Sequence, residues 1–217
     1  MTRRTAAPAA RALLLALLLG LVVGCTAPVK ETAIVRAQSD PGGYRGGASL
    51  PEPYRMPNRT LTDTAGHPYN LSTSPSKPVT LMFFGYTHCP DVCVGVLSDV
   101  ATALTRMPAG SRDQIQTLFV TTDPARDSEK AIQAYLARFD PTFIGLTGEM
   151  STIKAVAERV GVDIEGKNKL ASGGYEVGHS AQVIGFDKQL RGVVLWTPST
   201  PIGDLAQDFQ LLVAKQQ

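Results

Sequence analysis

Cysteine and histidine are scarce in this chain, three of each in 217 residues. A structural zinc site normally takes four protein ligands, and no such set is evident. Cys25 stands far from Cys89 and Cys93, and neither His67 nor His88 has metal-site spacing. An excess of one charge sign is also missing, with 21 Lys and Arg against 19 Asp and Glu and a formal charge of +2. There is therefore no electrostatic case for nucleic acid as a partner, which would want a clustered basic face. Apolar runs long enough to cross a bilayer as a stable helix, about 20 residues, are lacking too, since Ala12–Gly24 falls short. The chain has no internal repeat.

What the N-terminus does contain reads as an export signal: Arg3, Arg4 and Arg11 around a leucine-rich apolar stretch. Leu21-Val22-Val23-Gly24-Cys25 resembles the lipobox of bacterial lipoproteins, which implies cleavage before Cys25 and a lipid on its sulfur, holding the protein to the outer face of the cell membrane. The plainer alternative is a short signal peptide with an incidental cysteine. Loss of residues 1–24 removes three arginines and no acid, taking the 21 basic residues to 18 against 19 acidic ones, a formal charge of −1. The basic character belongs to the signal. With Cys25 lipidated, Cys89 and Cys93 are the one thiol pair left, in a compartment where disulfides persist.

Residues 25–57 carry Pro41-Gly42-Gly43, Gly46-Gly47 and Pro51-Glu52-Pro53 without apolar periodicity and are expected to be a flexible tether. Residues 58–217 suffice for one domain. Thr60–Thr64 and Tyr69–Leu71 flank Gly66 as an N-terminal hairpin, and Val79–Phe84 is a buried strand. Val96, Leu97, Val100, Leu104 and Met107 then recur at helical spacing. A strand at 115–121 leads through Asp123-Pro124 into a helix carrying Ile132, Tyr135, Leu136 and Phe139, capped by Asp127 or Ser128. A strand at 143–146 precedes a third helix with Ile153, Val156 and Val160. The polar stretch 161–178 breaks the rhythm, strands at 181–186 and 192–196 follow, and Thr200-Pro201 opens a last helix. This order predicts an α/β fold, a central mixed sheet flanked by helices, and matches a thioredoxin-like arrangement.

Cys89-Pro90-Asp91-Val92-Cys93 places two thiols three residues apart where the buried strand passes into a helix. With Cys89 at the cap and Pro90 as first helical residue, backbone N–H groups and the helix dipole would favour thiolate at Cys89, while Cys93, one turn deeper, would be less exposed. The pair can close a disulfide or grip a metal. A purely structural disulfide over so small a loop would constrain the unfolded chain little. His179 offers a third soft ligand, and two thiolates with an imidazole suit copper, particularly Cu(I). On spacing alone, a lone histidine in a loop faces solvent, and nothing in the primary structure brings His179 to the cysteines. If the fold is thioredoxin-like, the strand near Ala181 starts beside the dithiol helix, where such proteins hold a cis-proline. His88 can tune its neighbour Cys89 or point away from it, and His67 reads as a solvated turn residue.

Four segments in order resemble the Sco/SenC family: Phe84-Gly85-Tyr86-Thr87-His88-Cys89-Pro90-Asp91-Val92-Cys93, Thr122-Asp123-Pro124-Ala125-Arg126-Asp127, Ile144-Gly145-Leu146-Thr147-Gly148 and Tyr175-Glu176-Val177-Gly178-His179-Ser180. The resemblance implies a membrane-tethered copper protein that helps assemble the copper centre of cytochrome c oxidase, with Cys89, Cys93 and His179 as ligands to Cu(I) or Cu(II). It places Asp91 and Asp123 near the site, although Asp123 can equally serve to end its strand. Val94 departs from the proline common in the family after the second cysteine. The competing function is a thiol–disulfide oxidoreductase, with Cys89 and Cys93 redox-active, that reduces the cysteines of its partner and draws on a thiol reductant. A peroxidase reading is weaker, since Thr87 lies two positions before Cys89 where that family has three.

Overall fold

The apolar run predicted as a buried strand is one, Val79–Gly85, with all seven residues buried. The computed structural model describes residues 39–171 and 173–217. In chain order these form β1 (Ala48–Arg55), β2 (Thr60–Asp63), β3 (Pro68–Asn70), β4 (Val79–Gly85), α1 (Val92–Thr105), α2 (Ala109–Arg112), β5 (Ile115–Thr121), α3 (Glu129–Leu136), β6 (Ile144–Thr147), α4 (Met150–Arg159), β7 (Ile164–Lys169), β8 (Tyr175–His179), β9 (Val183–Phe186), β10 (Arg191–Trp196) and α5 (Ile202–Ala214). Eight strands make one mixed sheet in the order β1-β10-β9-β4-β5-β6-β2-β3, and among the described residues β7 pairs only with β8.

Strands β4 and β5 run parallel in unbroken register from Val79 opposite Ile115 to Gly85 opposite Thr121. They stop at the same level, so the loops that follow them emerge side by side, the usual location of sites in sheets of this kind. Strand alternation sorts the core. Val79, Leu81 and Phe83 join Phe119 under Val96, Leu97 and Val100 of α1, Ile132 of α3 and Phe209 of α5. Met82 and Phe84 face the opposite layer with Leu118, Val120 and the α4 residues Ile153 and Val156. Both faces of the sheet are covered, which is why β4 reads as a continuous apolar run. The fold is thioredoxin-like, and the expected N-terminal hairpin is present as β2–β3, joined to the sheet through β6.

Two expectations are corrected. The predicted tether of residues 25–57 already belongs to the fold from residue 39: β1 pairs antiparallel with β10, and Tyr44 is buried against Trp196. The glycines that suggested a linker serve close approach instead. Buried Asp208 accepts hydrogen bonds from the backbone N–H groups of Arg45, Gly46 and Gly47 at 2.7–3.0 Å, and a Cβ on Gly47 would lie 2.6 Å from the Trp196 indole nitrogen. Pro51 and Pro53 are tolerated because β1 is an edge strand. The stretch 161–178, predicted without regular structure, forms the β7–β8 hairpin. Residues 1–38, with Cys25 and the expected signal peptide, lie outside the described residues.

Candidate metal centre

Beyond Gly85 the chain turns sharply through Tyr86–Asp91 before α1 begins. A buried carboxylate holds this turn. Asp127 accepts hydrogen bonds from the Thr87 backbone N–H (3.0 Å), the Thr87 hydroxyl (2.6 Å) and the Thr121 hydroxyl (2.6 Å). Cap duty in α3 therefore falls to Ser128, whose hydroxyl accepts from the Ala131 N–H. The expected cap of α1 moves as well: the N-cap is Asp91, the helix starts at Val92, and Pro90 precedes it. Cys89 lies two residues before the cap, yet its sulfur still accepts the Cys93 backbone N–H at 3.3 Å. One N–H of the first turn is thus satisfied by sulfur. Cys93 is fully buried and Cys89 half-buried, and both are unpaired thiols.

His179 is the last residue of β8, not a loop residue, and it reaches the pair. Its Nε2 lies 3.6 Å from Cys93 Sγ. Its Nδ1 is 3.0 Å from the Ser180 carbonyl, which can only accept, so Nδ1 carries the proton and the Nε2 lone pair faces the sulfurs. Tyr86 and Phe83 pack edge-on against the imidazole at 5.9 and 6.4 Å between centroids. The donor atoms of Cys89, Cys93 and His179 all lie within 4.8 Å of one another. Metal bonds of about 2.3 Å to sulfur and about 2.0 Å to nitrogen, opened to roughly 120°, separate two such donors by roughly 3.7 Å. The observed spacing and the soft donor set fit a single low-coordinate copper ion.

The two thiols are electrostatically unequal. The Cys93 thiol beside it, against the opposing cost of burial, draws the Cys89 pKa far below the ordinary thiol range, helped by His179 and the Cys93 N–H. The same contact with Cys89, together with burial, pushes the Cys93 thiol up. In the metal-free protein the negative charge therefore sits on Cys89, the more accessible sulfur. That sulfur opens on a cleft of about 220 Å³ lined by Tyr86, Val92, Asn168, Glu176 and His179. A larger cavity of about 840 Å³ between Arg55–Arg59 and Glu158–Arg159 shares no residue with it and contains neither thiol nor imidazole.

The other predicted residues separate. Asp91 is exposed and accepts from the Val92 N–H at 2.6 Å, so it shapes the helix start that aims Cys93. Asp123 touches neither sulfur. It is buried, paired with Arg126 and bonded by the Tyr175 hydroxyl at 3.0 Å. His88 turns its Nδ1 to the Thr87 hydroxyl at 3.0 Å and lies 3.7 Å from Asp127. The Thr87 hydroxyl is spent on Asp127, which removes the feature that suggested a peroxidase. Val94 packs against the core without disturbing the helix. Asp127 and Arg126 were missed as site residues. Both lie in the second family-like segment, and only the in-register β4–β5 pairing shows that this segment borders the thiols.

A mixed sheet covered by helices, a dithiol at a helix start and an imidazole carried on a separate hairpin define a thioredoxin-like protein with a soft-metal site. The family model SCO1/SenC matches residues 50–214, and the chain belongs to that family. A Stutzerimonas stutzeri protein whose name describes it, provisionally, as copper-binding is 33% identical over 145 residues, which cover 66% of this chain and 70% of that protein. Arabidopsis thaliana ScoI, crystallised with copper bound, is 25% identical with a TM-score of 0.67, covering 76% of this chain and 98% of that one. Bradyrhizobium japonicum ScoI with copper bound is 31% identical with a TM-score of 0.63, covering 74% and 97%.

Proposed function

We infer that this Sco/SenC protein holds one copper ion through Cys89, Cys93 and His179 and passes it to the copper centre of cytochrome c oxidase or of another exported cuproprotein. The observation that carries this reading is the convergence of two sulfurs and one oriented imidazole nitrogen within 4.8 Å. Copper bound there would be low-coordinate and open to incoming ligands. Cys93 is buried in the core, whereas Cys89 borders the cleft, so exchange with thiolates of a recipient would start on the Cys89 side. A purely reductive role would leave the aim of the His179 Nε2 unexplained. Both thiols must be reduced before metal enters, which requires a thiol reductant in the same compartment. Titration of the reduced protein with Cu(I) against a competing chelator should give one equivalent per chain, with affinity at least about tenfold lower in His179→Ala. Unchanged affinity in that variant would discard the three-ligand centre.

We also propose that the chain is exported and anchored through lipid on Cys25, with the residues between Cys25 and residue 39 as the tether. The Leu21–Cys25 pattern after an arginine-flanked apolar stretch supports this. Among the described residues no helix is long and apolar enough to cross a membrane. Palmitate labelling that persists in Cys25→Ser would sink the lipoprotein reading.

A further inference from the structure

The hairpin that carries His179 is not part of the eight-stranded sheet: among the described residues β8 pairs only with β7. At the His179 end the hairpin ladder itself closes with the Ser180 N–H donating to the Asp163 carbonyl at 3.0 Å. At the other end of β8 a single residue, Tyr175, gathers an unusual number of contacts. Its hydroxyl donates to Asp123 at 3.0 Å. Its carbonyl accepts from Arg126 Nη1 at 3.1 Å. The Arg126 guanidinium lies over its ring at 3.6 Å, and Lys167 of β7 lies over the same ring at 4.3 Å. Asp123 closes the circuit by pairing with Arg126 and, at 3.9 Å, with Lys167. Arg126 also sits 5.6 Å from the centroid of the Tyr86 ring, the ring that packs edge-on against the His179 imidazole.

We propose that Asp123, Arg126 and Tyr175 form a latch that positions His179, so that these three residues set how firmly the imidazole, and through it copper, is held. Strand β8 rises about 3.3 Å per residue, and its Tyr175 end is gripped by groups rooted in the loop after β5, the element that also supplies Asp127 to the cysteine turn. The latch thus references the imidazole to the same rigid support as the thiols. Arginine is well suited to this position, because a planar guanidinium can bond a carboxylate and a carbonyl edge-on while stacking two aromatic faces, which an ammonium cannot do. Its Nη2 group is buried without a hydrogen-bond partner among the described residues, a cost of holding the guanidinium in this place. Latch residues touch no donor atom of the site, so they are positioning residues.

The inference rests on the three-ligand copper centre, and its test separates the two. Cu(I) affinity is measured by chelator competition for Tyr175→Phe, Arg126→Gln and Arg126→Lys, each alone and combined with His179→Ala, with the thermal melt of each metal-free variant recorded. The expected result is a loss of roughly tenfold for Arg126→Gln and a few-fold for Tyr175→Phe, in line with groups that orient metal ligands. Arg126→Lys should not restore wild-type affinity, because it keeps the charge and loses the stack. In the His179→Ala background all three should be silent, the coupling a double-mutant cycle detects. Should Arg126→Gln not fold, Tyr175→Phe, which loses one hydroxyl, carries the test. Equal losses with and without His179, or no loss while His179→Ala itself weakens binding, would overturn the latch alone. A neutral His179→Ala would overturn the copper centre, and the latch with it.

Discussion

Cys89 and Cys93 share one helix end, yet the fold gives them opposite protonation behaviour. A lowered pKa keeps Cys89 deprotonated as pH falls below the ordinary thiol value of about 8.5, whereas the raised pKa of Cys93 keeps it protonated above that value. In the reduced, metal-free protein, alkylation is therefore expected at Cys89 first, at a rate that stays level through neutral pH and drops only on acidification. Cys93, with no exposed surface, should react only after unfolding. Mass spectrometry of peptides after timed iodoacetamide exposure checks both statements, and a faster Cys93 would contradict them. Gly85 adds a second expectation at this scale. A Cβ there would sit 3.1 Å from Cys93 Sγ and 3.0 Å from the rings of Phe83 and Phe119. Gly85→Ala should cost about 1–3 kcal/mol by overpacking and displace the buried sulfur, seen as weaker copper binding as well as a lower urea midpoint.

Loops and strands around the site were legible in the sequence to the extent that they were apolar. Strand β4 and the α1 periodicity announce themselves because burial on both sides of the sheet requires them, and the Cys89–Cys93 spacing does so by the residue type itself. The β7–β8 hairpin did not, since Ile164–Lys169 lies outside the core with only Ile164 even partly covered, and no alternation of apolar residues marks it. Its one signal was Gly173-Gly174, which the structure places in a left-handed turn at φ of 91° and 81°. The role of Asp127 was hidden for a different reason. A carboxylate before a helix reads as a cap, and only tertiary pairing turns it inward. Asp127→Ala would strand the hydroxyls of Thr87 and Thr121 and is expected to cost about 3 kcal/mol, against about 1 kcal/mol for Ser128→Ala at the true cap. Equal urea midpoints for the two variants would refute this assignment. Hydrogen exchange should likewise find the β7–β8 amides opening far more often than those of β4 and β5.

Across the whole molecule, the sequence misplaced one boundary. Proline and glycine between residues 39 and 57 look like linker composition, but Asp208 binds three consecutive backbone N–H groups there and also accepts from the Trp196 indole at 2.9 Å. A chain beginning at Asn58 loses this contact, β1 and Tyr44, and with them the cover over Trp196. It should unfold at least about 3 kcal/mol more easily than one beginning at Ser39, and matching thermal midpoints would contradict that. The separate origin of the metal donors has a wider consequence. The sulfurs belong to the turn and helix start that follow the central strand β4, while the nitrogen rides on an outrigger with its own fastenings. Substitutions in those fastenings can lengthen or shorten the dwell time of the ion without altering the lifetime of the native state, so cargo retention and durability become separately adjustable properties of a single small domain.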